Sequence, residues 1–195
     1  MRVILASQSP RRRELLKEII PNFDIMPQDV DEQVIEKDPK ILVQKLAKKK
    51  INNLDKQFND AVIISSDTIV YYNGKVFGKP KDEIDAVKIL RELSNNTHEV
   101  YTGVCVCYKG EKHLFFEQSF VKFKDLTDEE IVQYVRNKKP LDKAGAYGIQ
   151  GYGALLVKNI QGDYFNIVGL PISKISDCLK EHFDINLFTE VDLSE

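Results

Sequence analysis

The feature that most constrains the fold of this chain is an almost unbroken run of β-branched and apolar residues over 61–71. It reads Ala-Val-Ile-Ile-Ser-Ser-Asp-Thr-Ile-Val-Tyr. Runs of this kind are typical of a central, buried strand. Segments with helical apolar periodicity occur elsewhere in the chain. We therefore predict a mixed α/β fold with helices packed on an extended sheet, whose strand order the sequence does not give.

Local signals predict the other elements. Val3–Ala6 predicts a short buried strand, and Pro10 suits the first position of the helix that follows. Thr127 and Glu130 form a capping-box pattern at the start of a later helix, and Asn73-Gly74 predicts a hairpin turn. Similar signals predict helices over 39–54, 84–93 and 171–183, and strands over 23–26, 98–108, 113–124 and 155–160.

Composition excludes several classes of protein. The net charge of −2 argues against a dedicated nucleic-acid binder, so any anion site must be a local cluster of basic side chains. Three cysteines without a zinc spacing argue against a disulfide framework and a structural metal site. The sequence has neither a signal-peptide core nor an apolar run of membrane-spanning length. We expect a cytoplasmic protein without a membrane partner.

The first candidate site is the segment Ser7-Gln8-Ser9-Pro10-Arg11-Arg12-Arg13, between the first strand and the first helix. A helix N-terminus presents unpaired N–H groups to anions, and neighbouring hydroxyls and guanidiniums would add charge-assisted bonds to a polyphosphate. The alternative is that Ser9 only caps the helix while the arginines lie in solvent. The segment lacks the glycines of a Walker loop.

Asp67 is the second candidate, because a carboxylate near the end of an apparently buried strand is costly unless it is paired or binds a metal. Such a carboxylate could also activate water. The alternative is a strand-end aspartate that accepts hydrogen bonds from backbone N–H groups. Thr68 should point to the opposite face of a regular strand.

Three further charged side chains have both a functional and a structural interpretation. Glu32, beside Asp31, lies in an acidic loop that could bring a second oxygen ligand to a cation, although such loops are commonly solvated surface. Lys50 belongs to a Lys-Lys-Lys run typical of an exposed helix face. Lys79 lies between Gly78 and Pro80, in a tight loop that would hold its amine in place.

The third candidate is the glycine-rich stretch over 142–151 (Asp-Lys-Ala-Gly-Ala-Tyr-Gly-Ile-Gln-Gly). Small residues allow the backbone to approach a ligand closely, while Tyr147 and Gln150 offer stacking and amide recognition. The alternative is a surface turn. Long loops inside a compact domain are more often functional than decorative.

Taken together, these segments resemble the Maf family of nucleoside triphosphate pyrophosphatases. The resemblance is carried, in order, by residues 5–16, 66–70, 78–80, 141–151 and 166–171, the last of which read Asn-Ile-Val-Gly-Leu-Pro. Five segments in order over most of the chain are more specific than any one of them.

The resemblance implies a single Maf-like domain over residues 1–195 with two lobes. It implies a Maf/ITPase-like α/β fold in which helices flank a long mixed β-sheet and a substrate cleft lies between the lobes. It further implies hydrolysis of a nucleoside triphosphate to the monophosphate and pyrophosphate, a divalent metal cation (Mg²⁺ or Mn²⁺) and a homodimer.

The resemblance also assigns roles by motif position. Asp67 would be the catalytic carboxylate, as general base or metal ligand, and Glu32 would share the metal. The triphosphate would be held by Ser7, Ser9, Arg11, Arg12, Lys50 and Lys79. Arg12, Thr68 and Gln150 match positions associated with the choice of base.

The Arg11-Arg12 pair and the stretch over 146–151 resemble the branch that acts on dTTP and UTP. The branch that acts on 7-methyl-GTP typically has an aromatic residue after Ser-Pro and lacks Gly-Ile-Gln-Gly. Gln8 and Ser66 stand where a smaller residue is more usual, which could alter packing without removing a ligand. Two alternatives remain: a house-cleaning pyrophosphatase for ITP-like or 7-methylated nucleotides, and a non-enzymatic nucleic-acid-binding or division-regulating protein.

Overall fold

The computed structural model describes residues 1–31, 33–51 and 54–190. Its strands are β1 Val3–Leu5, β2 Asp24–Ile25, β3 Val62–Tyr72, β4 Lys75–Phe77, β5 Thr97–Tyr108, β6 Glu111–Phe123 and β7 Val157–Gln161. Its α-helices are α1 Pro10–Lys17, α2 Pro39–Ile51, α3 Leu54–Gln57, α4 Glu83–Leu93, α5 Asp128–Lys138, α6 Tyr164–Val168, α7 Ile172–Phe183 and α8 Leu187–Glu190. Two 3₁₀ helices cover Ala144–Ala146 and Gly151–Leu156.

The sheet is mixed, as predicted. Its seven strands follow the order β2-β1-β3-β5-β6-β7, with β4 paired to β3. β1 is parallel to both β2 and β3, whereas β3 with β4 and β6 with β7 are antiparallel. The Asn73-Gly74 turn between β3 and β4 has positive φ at both residues, which matches a type I′ hairpin.

Most predicted elements are confirmed, and the differences have local causes. The capping box of α5 forms, with Thr127 accepting from the Glu130 N–H and the Glu130 side chain accepting from the Thr127 N–H. Within the predicted helix over 39–54, the described residues are helical: α2 covers Pro39–Ile51, Leu54 begins α3, and residues 52 and 53 lie outside the described ranges. The last strand begins at Val157 because residues 151–156 form a 3₁₀ helix. β3 extends to Tyr72, so Asp67 lies in the middle of this strand rather than near its end.

The chain divides into two compact units. The first comprises residues 1–67, 102–117 and 169–195, and the second residues 68–101 and 118–168. The strands β3, β5 and β6 each contribute residues to both units, and Asp67 and Thr68 are consecutive residues assigned to different units. The single two-lobed domain and its cleft stay predictions.

The core of the first unit lies between the sheet and α2. Ala47 and Ile51 of α2 pack with Ile4 of β1 and Ile63 of β3, and Cys105 and Cys107 of β5 belong to the same buried cluster. The two cysteines therefore serve as core residues, and burial raises the pKa of the Cys105 thiol to about 12.

The second unit is built around the remaining strand segments and the helices α4 and α5, which pack against each other. α4 also packs against the 3₁₀ helix over 144–146. Gly145 permits this arrangement, since a Cβ there would lie 2.6 Å from a methyl carbon of Val70 and its φ is +67°. Across the described residues, none of the helices has the length and hydropathy to cross a bilayer.

Candidate active site

In the first unit, the candidate site begins where β1 stops pairing with β3. Leu5 is the last residue of β1 and lies opposite Ile64, and the Ala6 N–H still donates to the Ile64 carbonyl at 2.8 Å. β1 ends here, whereas β3 continues past Ser66 to Tyr72, so Ser7 leaves the sheet at the carboxyl end of β1, beside the middle of β3. Ligands of open α/β sheets bind at such carboxyl ends.

The segment after β1 starts a helix and also builds a hydroxyl site. Ser9 is the N-cap of α1, and its Oγ accepts from the Arg12 N–H at 3.5 Å. The buried Ser7 Oγ accepts from the Ser9 N–H at 3.2 Å and from Arg12 Nη1 at 3.4 Å. A hydroxyl has two acceptor positions and one hydrogen. With both acceptor positions used, Ser7 can approach a ligand only as a donor, which suits a phosphate oxygen.

Arg12 is held by backbone carbonyls from two distant parts of the first unit. Its Nε donates to the Gly169 carbonyl at 2.9 Å and its Nη1 to the Ser66 carbonyl at 2.8 Å. The Ser66 Oγ donates to the same Gly169 carbonyl at 3.1 Å. The guanidinium is therefore fixed beside β3 and the segment that precedes α7, and it does not lie in solvent.

Lys50 forms an ion pair and a hydrogen bond with Asp67. Only 14% of the Lys50 side chain and 13% of the Asp67 side chain are exposed. A carboxylate with so little exposed surface needs such a counter-charge. The interpretation of Lys50 as part of an exposed helix face is therefore wrong, because the last turn of α2 points this lysine towards β3.

Two other lysines of α2, Lys45 and Lys49, form hydrogen bonds with the acidic loop. Lys49 Nζ donates to the carbonyls of Asp31 and Gln33, each at 3.0 Å. Lys45 pairs with Glu36 at 2.7 Å, and this hydrogen bond lowers the pKa of the Glu36 carboxyl. Glu32 itself lies outside the described residues. Within the described ranges, no group of three or more His, Cys, Asp and Glu side chains could hold a metal ion.

In the second unit, the structure brings the Lys79 loop and the glycine-rich loop together. The Gly145 N–H donates to the Gly78 carbonyl at 3.0 Å. Lys79 itself is exposed, and Thr68 is half-buried on β3. That the loop holds the Lys79 amine in place stays a prediction.

The glycine-rich loop that carries Gln150 is anchored by a buried polar pair between its own Tyr147 and His98 of β5. The Tyr147 hydroxyl and His98 Nε2 lie 2.8 Å apart, and both side chains are buried. The Phe123 ring packs edge-on against both rings, with centroids 4.8 Å from each. Burial lowers the pKa of His98 to about 4 and raises the pKa of Tyr147, so both groups are neutral near pH 7. Gln150, three residues after Tyr147, is exposed.

The predicted residues thus fall into two groups. Ser7, Ser9 and Arg12 share one hydrogen-bonded cluster of the first unit, Lys50 and Asp67 form its ion pair, and Arg11 is half-buried on α1. Thr68, Lys79 and Gln150 belong to the second unit. The roles of all of them stay predictions.

Ser66 and Gly169 were not predicted as site residues. Both accept bonds from Arg12 through their backbone carbonyls, which carry no side-chain signal. The available signal was the glycine of the Asn-Ile-Val-Gly-Leu-Pro segment, whose φ of +120° few other residues adopt.

Comparison with known proteins agrees with this arrangement of motifs. The family profile described as Maf-like protein matches residues 2–182. The dTTP/UTP pyrophosphatase of Thermosipho africanus (strain TCF52B) is 49% identical over 92% of each chain. The dTTP/UTP pyrophosphatases of Clostridioides difficile (strain 630) and Aquifex aeolicus (strain VF5) are 47% and 45% identical, over 96% and 93% of this chain and 98% and 95% of theirs.

Among solved structures, the Staphylococcus aureus Ham1 protein aligns over 78% of each chain with 15% identity and a TM-score of 0.46. The sequence comparisons cover nearly all of the chain, including every segment on which the resemblance was based. This chain belongs to the Maf family.

Proposed function

We propose that this protein hydrolyses dTTP and UTP to the nucleoside monophosphate and pyrophosphate. The observation that carries the proposal is the Lys50–Asp67 pair beside the Ser7–Arg12 hydrogen-bond cluster, at the carboxyl end of β1 and the middle of β3. Relatives at 45–49% identity that are named dTTP/UTP pyrophosphatases support the same activity and substrates.

The triphosphate is proposed to bind through hydroxyl, N–H and ammonium donors. Ser7 offers its hydroxyl hydrogen, and Ser9 and Arg11 lie at the start of α1, where N–H groups favour an anion. Lys50 places an ammonium group beside Asp67, where it offsets the negative charge of this carboxylate as the triphosphate approaches. Lys79 would add a second ammonium from its short loop.

A divalent cation, Mg²⁺ or Mn²⁺, fits the chemistry of Asp67. These ions take oxygen ligands, commonly one or two carboxylates together with substrate phosphates. Asp67 provides such a carboxylate, and Glu32 is proposed as the second. When bound, the metal would neutralise phosphate charge and lower the pKa of water.

Asp67 is proposed to accept a proton from the attacking water. The water oxygen bonds to phosphorus, the α–β anhydride bond breaks, and pyrophosphate leaves together with the monophosphate. Lys50 holds the carboxylate in place for this role. Arg12, already fixed by the carbonyls of Ser66 and Gly169, contributes positioned positive charge.

Arg12, Thr68 and Gln150 are proposed to select the base. Gln150 is the most direct candidate, because an exposed amide offers one acceptor and two donors to the edge of a base. The homodimer and the cytoplasmic location also stay predictions.

The decisive experiment measures pyrophosphate release from dTTP by the wild type and by Asp67→Asn. We expect turnover to fall by about 10³-fold or more in the variant, because the base is lost, while dTTP still binds. The exposed Asp60→Asn serves as the matched control and should behave as wild type. Release of orthophosphate instead of pyrophosphate would overturn the assigned reaction.

The alternatives give different results in the same assays. A preference for ITP or 7-methyl-GTP over dTTP and UTP would contradict the proposed substrates and favour a house-cleaning enzyme. A nucleic-acid-binding protein would keep or gain nucleic-acid affinity in Asp67→Asn, because removing a negative charge cannot weaken contacts to phosphates.

A further inference from the structure

Ser65 carries a fully buried hydroxyl in the apolar first half of β3, two residues before Asp67. Its Oγ donates to the Ala47 carbonyl of α2 at 2.7 Å. An apolar side chain, such as those of the neighbouring Ile63 and Ile64, would fill a core position without the cost of removing a hydroxyl from water. What the hydroxyl adds is direction, because a hydrogen bond restricts both the distance and the angle between its partners. Ser65 therefore ties α2 to one position on β3.

This hydrogen bond joins the same two elements as the Lys50–Asp67 ion pair. Strand side chains alternate between faces, so Ser65 and Asp67 share one face of β3 with Ile63. Ile63 and Ala47 belong to the same buried cluster, so this face is the one that α2 covers. Ala47 precedes Lys50 by about 4.5 Å along the helix axis, and Ser65 precedes Asp67 by about 6.6 Å along the strand. The hydrogen bond and the ion pair therefore follow each other in the same order along both elements.

A directional bond at this place controls where the Lys50 ammonium ends. The lysine side chain is long and flexible, but it starts from the last turn of α2. Since successive helix residues differ in direction by about 100°, a modest rotation of this turn would aim Lys50 away from β3. Apolar packing of Ala47 is non-directional and opposes such a rotation weakly, whereas the hydrogen bond from Ser65 opposes it directly.

We propose that Ser65 is a positioning residue for the reaction. Through its bond to the Ala47 carbonyl, it sets the register and rotation of the last turn of α2 and so holds the Lys50 ammonium on Asp67. This inference rests on the proposed function, in which Asp67 accepts the proton of the attacking water. A displacement of about 1 Å at a reacting group can lower turnover by about 10²-fold, so a buried serine that acts only through α2 affects the rate.

The hold on Lys50 is measured without turnover, by nuclear magnetic resonance of the lysine ammonium groups. The signal that disappears in Lys50→Met belongs to Lys50. In Ser65→Ala, we expect the hydrogens of this ammonium to exchange with water at least about threefold faster than in the wild type, because the ion pair opens more often. Ser119→Ala is the matched control and should leave the signal unchanged, since it removes another buried hydroxyl, which donates to the Asp163 carbonyl in the second unit.

Turnover of dTTP distinguishes positioning from a general loss of stability. Ser65→Ala should lower kcat by about fivefold in the wild-type background but by less than about 1.5-fold in the Lys50→Met background. A residue that acts through Lys50 has nothing left to position once the ammonium is gone. Ser119→Ala should change kcat by the same small factor in both backgrounds. Circular dichroism and thermal melting establish that each variant is folded at the temperature of the assay.

Either of two results would overturn the inference: an unchanged Lys50 signal in Ser65→Ala, or comparable losses of kcat in the two backgrounds, which would make Ser65 a structural residue alone. If Ser65→Ala does not fold, Ser65→Cys takes its place with the same expectations, because a thiol is only a weak donor. A wild type that releases no pyrophosphate from dTTP would refute the proposed function. The ammonium measurement would then still decide whether Ser65 holds Lys50 on Asp67.

Discussion

At the scale of single residues, the lysines of α2 show how neighbouring identical side chains acquire different tasks. Lys45 and Lys49 bind the acidic loop over 28–36, and Lys50 binds Asp67, whereas Lys48 lies exposed. Because an α-helix turns by 100° per residue, three consecutive lysines point in three directions. Their composition predicts a basic helix, and only their orientation distinguishes a site residue from a surface one.

Lys49 is expected to restrain the acidic loop. Lys49→Met removes two hydrogen bonds to the carbonyls of Asp31 and Gln33, so the amides over 28–36 should exchange with solvent at least several times faster. Hydrogen exchange with mass spectrometry measures this difference. Lys48→Met is the matched control, and equal exchange in the two variants would refute the restraint.

His98 should make folding stability depend on pH. Its pKa is lowered from 6.5 to about 4 by burial, so the unfolded chain takes up the proton first as the pH falls. Stability from this residue is present above pH 6.5 and decreases as the pH falls to 4, by up to about 3 kcal/mol in total. Urea denaturation at several pH values measures it.

The control for this prediction is His98→Gln, whose amide keeps a polar partner for Tyr147 but does not titrate in this range. The difference in unfolding free energy between wild type and variant should therefore decrease, or change sign, as the pH falls from 6.5 to 4. A constant difference over that range would contradict the assignment.

At the scale of elements, the fold of the first unit depends on a close approach between α2 and β5. A Cβ on Gly103 would lie 2.3 Å from the backbone C and O atoms of Val43. Helix and strand therefore touch through backbone at this point, which no other residue allows. This contact sets the depth at which α2 lies on the sheet, and hence the position from which Lys50 reaches Asp67.

Gly103→Ala is expected to destabilise the protein by about 3 kcal/mol or more, because backbone atoms cannot move aside as a flexible side chain can. Denaturant unfolding measures the loss. Gly78→Ala is the control, since a Cβ there meets nothing within 4 Å. If the two variants are equally stable, α2 does not depend on this close approach.

Elements also show where sequence reasoning succeeds. The capping box of α5 and the Asn73-Gly74 turn were predictable because their hydrogen bonds and φ angles depend on residues within four positions. The described residues of the predicted helix over 39–54 are helical, whereas the 3₁₀ helix over 151–156 was missed. Glycine-rich segments lack the periodicity from which such boundaries are inferred.

At the scale of the whole molecule, a net charge of −2 coexists with two basic side chains at the candidate site, since Lys50 pairs with Asp67 and Arg12 donates to the neighbouring Ser66 carbonyl. Overall charge therefore says little about the ligand of a small, locally charged site.

The proposed metal dependence is tested on the whole protein. Chelation with EDTA should abolish pyrophosphate release, and excess Mg²⁺ or Mn²⁺ should restore it. Mn²⁺ binding, followed by electron paramagnetic resonance without substrate, should weaken by about tenfold or more in Asp67→Asn and remain normal in Asp60→Asn. Full activity in metal-free buffer would refute the proposal.

The class of fold, most helices and strands, and the family follow from the sequence alone. These conclusions depend on local patterns of apolar residues, caps and turns, and on motifs read in order. The sequence also identified Ser7, Arg12 and Asp67 as candidate site residues.

The hydrogen-bond partners of these residues are seen only in the tertiary structure. Lys50 and Asp67 are 17 positions apart, Ser66 and Gly169 are 103 apart, and Arg12 and Gly169 are 157 apart. Contacts over such separations depend on the order of the strands and the depth of helix packing. Those are set by the burial of the whole core, and no local pattern encodes them.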